Sequence, residues 1–356
     1  MRRFAAKHDH EKASFQYKKI SPTNKLMKNT TMITMAALLL GSSGLFAAES
    51  AYTKPSGFVT HTLKAGQFNL IGLTLHEAVT VSGAFTEVDG TTLTDGDVDF
   101  DSVLTPGKTY ILEITSGALA GTIQEMAPGS WSGNTLTTTD DLSSSLTISN
   151  KYQMRESATL ESILGTIDSS LIAGFSVASA DVVWLPTAGG EYRRYYLKRP
   201  SNVWWNADSN IAAPDVSVCY TDALFIQKKG SEDSDLVLTG SVKTISTIAV
   251  MENGFTPISA IFPVGTTLLS SGLEASLTAG FSVASSDVLW VPADGGTYTR
   301  YYVKRPADAW TKINADSTQV TVDDSDDFAM PSGFFIQRKS TRAELKIDPP
   351  SSYSDL

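Results

Sequence analysis

The chain has 356 residues, 42% of them hydrophobic, with one Cys, four His and a formal net charge of −10. A single Cys cannot close an internal disulfide, and a chain this long can bury its cores without such staples, in two or three domains. The acidity argues against nucleic acid and anionic membrane surfaces as partners.

Residues 1–26 are polar and basic, a leader that a signal peptide seldom carries, and translation is expected to start at Met27. Residues 27–47 read as a secretory signal peptide: Met27-Lys28-Asn29 opens a short n-region, 32–40 is an apolar h-region, and small residues around Ala47 and Ala48 supply the cleavage site. The apolar run is too short to span a bilayer stably. The expectation is export to the periplasm, cell surface or extracellular space, with no integral membrane span in the mature chain. Removing 1–47 leaves 20 Lys and Arg against 36 Asp and Glu, a net charge of −16, which suits a soluble exported protein.

Residues 51–145 read as an N-terminal β domain, a small barrel or sandwich. Short β-rich runs at 79–81, 91–93, 109–114, 121–123 and 134–138 are separated by Gly, Asp and Asn turns. Its start echoes sequence found much later. Pro55-Ser56-Gly57-Phe58-Val59 resembles Pro331-Ser332-Gly333-Phe334-Phe335, and Phe68-Asn69-Leu70-Ile71-Gly72-Leu73 resembles Phe255-Thr256-Pro257-Ile258-Ser259-Ala260. The domain is therefore readable as an insertion into a first, degenerate module. Asp95, Asp97, Asp99 and Asp101 alternate, and calcium takes six to eight oxygens from such groups. Gly96 stands second in that run, where an EF-hand loop needs Gly sixth, and a solvated acidic face is the simpler reading.

Two homologous modules come next, at 146–243 and 244–347. AGFSVASADVVWLPTAGGEYRRYYLKRP at 173–200 returns at 279–306 with 20 of 28 positions identical. In each copy a Trp-centred run (182–186, 288–292) passes through Gly-Gly at 189/190 or 295/296 into a second β run (192–198, 298–304), which predicts a hairpin. Alternation puts Tyr192, Arg194, Tyr196 and Lys198 on one face, with Tyr298, Arg300, Tyr302 and Lys304 as their counterparts. A third run pairs 223–229 with 333–339. Upstream, Leu160, Ile163, Leu164 and Ile167, and then Leu268, Leu269 and Leu273, predict one short helix per repeat. Cys219 reads as a small buried apolar residue. The tail, 348–356, is expected to be disordered.

The ligand candidates are the aromatic-cation faces: Arg194, Tyr196, Lys198 and Trp204 in the first module, and Arg300, Tyr302, Lys304 and Trp310 in the second, with Trp205 beside them. Tyr and Trp rings stack on sugars, cations bond hydroxyls or acidic groups, and two copies add avidity along a polymer. The competing reading makes the same rings core and cross-strand packing. Asp181 and Asp287 are expected to pair with a turn amide or an Arg of their own module. A second acidic run, Asp323, Asp324, Asp326 and Asp327, is the other calcium candidate; no further cofactor is suggested.

Catalysis has little to draw on. The mature chain holds two His, His61 and His76, with no nucleophile elbow, zinc motif or phosphate loop. A glycosidase built on two carboxylates is the one chemistry the composition leaves open.

The chain resembles a family of uncharacterised exported proteins of Verrucomicrobia. Gly57-Phe58-Val59, 68–73, 181–198, 287–304, 224–229 and 334–339 carry the likeness across nearly the whole mature chain, and the modules are similar to broader bacterial surface modules. The resemblance implies export and an all-β repeat fold; no activity comes with it. The expectation is thus an all-β protein, an N-terminal barrel or sandwich followed by two homologous modules. Its role is structural or adhesive, with polysaccharide binding as the alternative. Its partners are a polysaccharide or an envelope protein, and its oligomeric state is open.

Overall fold

A computed structural model describes residues 55–356 apart from 168, 188, 189 and 355; the expected leader and signal peptide, and Gly189 of the first Gly-Gly turn, lie outside the described residues. The fold is all-β and antiparallel. Each module is built on a six-stranded sheet. In the first the order is Ile211–Ala212, Val203–Asn206, Tyr192–Lys198, Val182–Pro186, Leu224–Gln227, Phe68–Ile71. The second repeats it as Gln319–Thr321, Ala309–Ile313, Thr297–Lys304, Val288–Ala293, Gly333–Arg338, Gly254–Ser259. A two-stranded ladder accompanies each sheet: Ser56–Leu63 with Ser234–Ser241, and Thr247–Met251 with Ala343–Ile347.

This topology moves the first module's boundary. Ser56–Leu63 and Phe68–Ile71 belong to module one, so the N-terminal domain does not occupy 51–145 as expected. It is an insertion between Phe68–Ile71 and Ala158–Thr159, and it also takes Lys151–Glu156 from the stretch assigned to module one. Two four-stranded sheets form it: Val79–Ala84, Lys151–Glu156, Tyr110–Ile114 and Ile123–Met126 make one, and Glu87–Asp89, Thr92–Thr94, Thr135–Thr137 and Trp131–Ser132 the other. Its own core gathers Phe85, Phe100, Tyr110, Leu136 and Tyr152. Of the two sequence echoes, 68–73 with 255–260 is structural. The other is not, because the counterpart of Ser56–Leu63 is Thr247–Met251.

Both hairpins form in register, Trp184 opposite Arg194 and Trp290 opposite Arg300. The helices diverge. Thr159 and Ser162 close a capping box on Leu160–Leu164, but Ile167 lies in solvent. In module two Thr267 and Ser270 make the same reciprocal bonds, yet no α-helix follows. Ser271 Oγ donates to the Leu268 carbonyl, and Gly272 turns left-handed at φ 68, so the segment breaks into a 3-10 turn at Leu273–Ala275. The tail is also ordered where disorder was expected. Ser351–Tyr353 forms a 3-10 turn, and Tyr353 is buried edge-on against Phe262, ring centres 5.7 Å apart.

The modules share one apolar core, which holds Trp204, Leu224, Ile226 and their counterparts Trp310, Phe334 and Ile336. Their edge strands meet closely. Leu73 N–H donates to Ser259 Oγ, Ser259 Oγ donates to the Asp222 carbonyl, and His76 Nε2 lies 2.9 Å from the Ile261 carbonyl oxygen. At Gly72 an added Cβ would stand 1.7 Å from the Ser332 carbonyl oxygen, so only glycine permits this approach.

Candidate functional site

The expected aromatic-cation strip is on one face, as alternation requires, but most of it is closed to a ligand. Tyr196 and Tyr302 are 4% and 0% exposed, and Trp204 and Trp310, at 1% and 4%, point to the opposite face and into the core. They extend no platform. The cations are engaged within their own modules. Arg194 bonds Asp208 at 2.6 Å and lies over the Trp184 ring, and Arg300 lies over Trp290. Lys198 Nζ sits 3.5 Å from the Trp205 ring centre. Lys304 Nζ and Tyr302 Oη both donate to Gln319 Oε1.

Asp181 and Asp287 are buried anchors. Asp181 accepts from the backbone N–H groups of Ile172 and Lys229 and pairs with Lys228; Asp287 accepts from those of Thr278 and Lys339 and pairs with Arg338. Each ties the loop before the Trp strand to the end of the third strand.

The acidic runs do not assemble a calcium site: among the described residues no group of three or more His, Cys, Asp or Glu is placed to hold a metal ion. Asp95 is buried and accepts from Tyr152 Oη and the Asp97 N–H. Asp99 precedes the Phe100–Val103 turn of helix, and Asp101 accepts from the Gly133 N–H. Asp323 accepts from Ser325 and Asp327 from the N–H groups of Leu269 and Phe328, while Asp324 and Asp326 are exposed. Short-range turn bonding is what Asp provides here.

What the strip face does build lies at its other end, between the modules. Phe68, Trp184, Tyr192 and Phe225 share a face of the first sheet; Phe255, Trp290, Tyr298 and Phe335 share the corresponding face of the second. The sets are equivalent position by position, and they touch through equivalent residues: Phe225 meets Phe335 with ring centres 5.3 Å apart. Tyr192 packs on Phe225 at 5.8 Å, and Tyr298 on Phe335 at 5.7 Å. Phe68 lies edge-on to Trp184 and Phe225, and Phe255 does the same to Trp290 and Phe335. Burial comes first among the causes that push the Tyr192 hydroxyl up to about 12, followed by Tyr298 and Asp222 nearby.

A cleft opens on this cluster. Phe68, Trp184, Tyr192, Phe225 and Tyr298 line about 570 Å³ with Gly66, Gln67, Gly295 and Gly296, and none of these residues is charged. It adjoins a second space of about 500 Å³ under the Gly295-Gly296 turn, where His61, Lys64 and Asp294 bring polar groups. Lys64 is already paired with Asp233 at 2.8 Å. Sequence reading placed Tyr192 and Tyr298 on the correct face but passed over Trp184, Phe225 and Phe68. The signal was present, since each has an aromatic counterpart in the second module.

A separate polar cluster binds the insertion to the modules. Glu113 accepts from Lys243 Nζ at 2.6 Å, Tyr220 Oη at 2.5 Å and Arg155 at 3.1 Å, all buried, and from the partly buried Gln153. Burial works to raise the Glu113 carboxyl, but the Lys243 and Arg155 charges outweigh it and hold the group down at about 2. His76, stacked edgewise on Tyr220, is lowered to about 3 by burial and then by Arg155. Cys219 is raised to about 12 by burial, which removes it as a nucleophile at neutral pH. The cluster is a structural joint. No protein-family model, no curated protein and no solved structure matches the chain.

Proposed function

We propose that this is an exported, non-catalytic adhesive protein of the cell envelope or extracellular space, and that its ligand is a glycan held in the aromatic cleft between the modules. The observation that carries the reading is the cleft: five rings drawn from both modules, in an uncharged space of a size suited to a few sugar units. Sugar C–H faces pack on aromatic rings, while the tyrosine hydroxyls and Gln67 offer polar contacts. Export is supported by the signal-peptide pattern at 27–47 and by the acidity of the chain after residue 47. A structural role without ligand is the second reading, favoured by the burial of Tyr196 and Tyr302.

The test is a panel of neutral and acidic glycans offered to the full-length chain and to Phe68→Ala, with and without a calcium chelator. Phe68 is 47% exposed, so its removal should leave the fold intact. The expected result is binding of a neutral glycan that weakens about tenfold in the variant and ignores chelation. Absence of binding across the panel would favour the structural reading.

A further inference from the structure

The cleft under the Gly295-Gly296 turn has a counterpart on the other side of the module interface, beside Gly190 of the first hairpin, with a volume of about 250 Å³. Tyr192 and Phe255 stand in it where Tyr298 and Phe68 stand in the other. The frames match, and the charges do not. Asp222 occupies the place held by Ser332, each one residue ahead of the matching third strand pair Ala223 and Gly333. Glu252, following Thr247–Met251, takes the place of Lys64, which follows Ser56–Leu63.

Among the described residues Asp222 has no cation paired with it. Its carboxylate receives one long contact, from Thr221 Oγ1 at 3.5 Å. Burial pushes its carboxyl up to about 7, with Glu125 raising it further. Glu252 shares the cleft and pairs with Arg342 at 3.4 Å on its solvent side; Tyr192 is the remaining titratable group on the wall. The fold does not require a carboxylate here, because the second module keeps the same strand geometry with serine. Asp222 is partly buried on the wall of the cleft with no counter-charge of its own, so a cation bound there would give its carboxylate the partner it lacks. The cleft brings no third metal-ligating group to Asp222 and Glu252, while Tyr192 and Phe255 beside them offer ring faces that suit an organic cation.

We infer that this cleft binds the protonated amine of an aminated sugar, with the Asp222 carboxylate as counter-ion and Tyr192 and Phe255 as walls. The ring of the ligand rests on the glycan reading above; the ammonium recognition rests on Asp222 alone.

The experiment titrates the full-length chain with short β-1,4-linked glucosamine oligomers and with their fully N-acetylated forms, using wild type, Asp222→Asn, Asp222→Ser and Phe68→Ala. Asp222→Ser copies the second module and is the variant safest for folding. The expected result is that free-amine oligomers bind at least tenfold more tightly than acetylated ones, and that both Asp222 variants lose this preference. Affinity should be greatest near neutral pH, falling below about 7 as the carboxylate takes up a proton and falling at higher pH as the sugar amine loses its own. Equal binding of both oligomers, or a preference retained in Asp222→Ser, would overturn the inference. So would oligomer cleavage that disappears in Asp222→Asn, which would make Asp222 an acid catalyst. Acetylated oligomer binding lost only in Phe68→Ala would sink this inference and leave the aromatic-cleft reading standing.

Discussion

Single residues carry the acid sensitivity of this protein. His76 has an ordinary value of 6.5 and a folded value of about 3, so the unfolded chain takes up a proton that the folded chain refuses. The His76 contribution to stability is therefore complete above 6.5 and declines as pH falls towards 3, with a slope approaching about 1.4 kcal/mol per pH unit. Glu113, held at about 2 against an ordinary 4.5, adds a second loss between those values. His76→Gln keeps a donor for the Ile261 carbonyl while removing the titration. Urea unfolding of this variant between pH 6.5 and 5 should give a flatter stability profile than wild type; an unchanged slope would mean His76 is not the group responsible. None of this was legible in the sequence, where His76 is one of two stray histidines after residue 47. Its partners Arg155, Lys243 and Tyr220 are far apart along the chain and meet only in the fold.

At the scale of elements, what repeats in sequence repeats in structure. The hairpins, their faces and the third strands were readable because hydrophobic alternation and Gly-Gly turns are local signals. The α-helix expected in module two was not, since Ser271 and Gly272 interrupt it after a correct start. The first module's edge strand was legible only as a faint echo, because an inserted domain separates it from the rest of its sheet. That edge strand sets how near the modules come. Gly72→Ala should destabilise the protein by roughly 1–3 kcal/mol or more, since the added methyl collides with backbone that cannot rotate away. Gly57→Ala, with nothing within 4 Å of the new methyl, is the control. Equal melting temperatures for the two variants would show that the modules do not close on Gly72.

For the whole molecule, the duplication has done more than place two units in series. The copies meet through equivalent rings, Phe225 on Phe335, and thereby create clefts that neither copy contains alone. Composition and repeats indicated an all-β chain and two modules. They could not indicate that one strip end would be buried and the other would line a space, because that depends on how the sheets pack. The most direct measurement is a side-by-side titration of one bound glycan against wild type, Phe68→Ala, and the double variant Lys198→Ala/Lys304→Ala. If the intermodule cleft is the site, affinity drops in Phe68→Ala and is unchanged in the double variant. The reverse pattern, with affinity lost in the lysine variant and kept in Phe68→Ala, would return the site to the cationic end of the strip and contradict the assignment made from the fold.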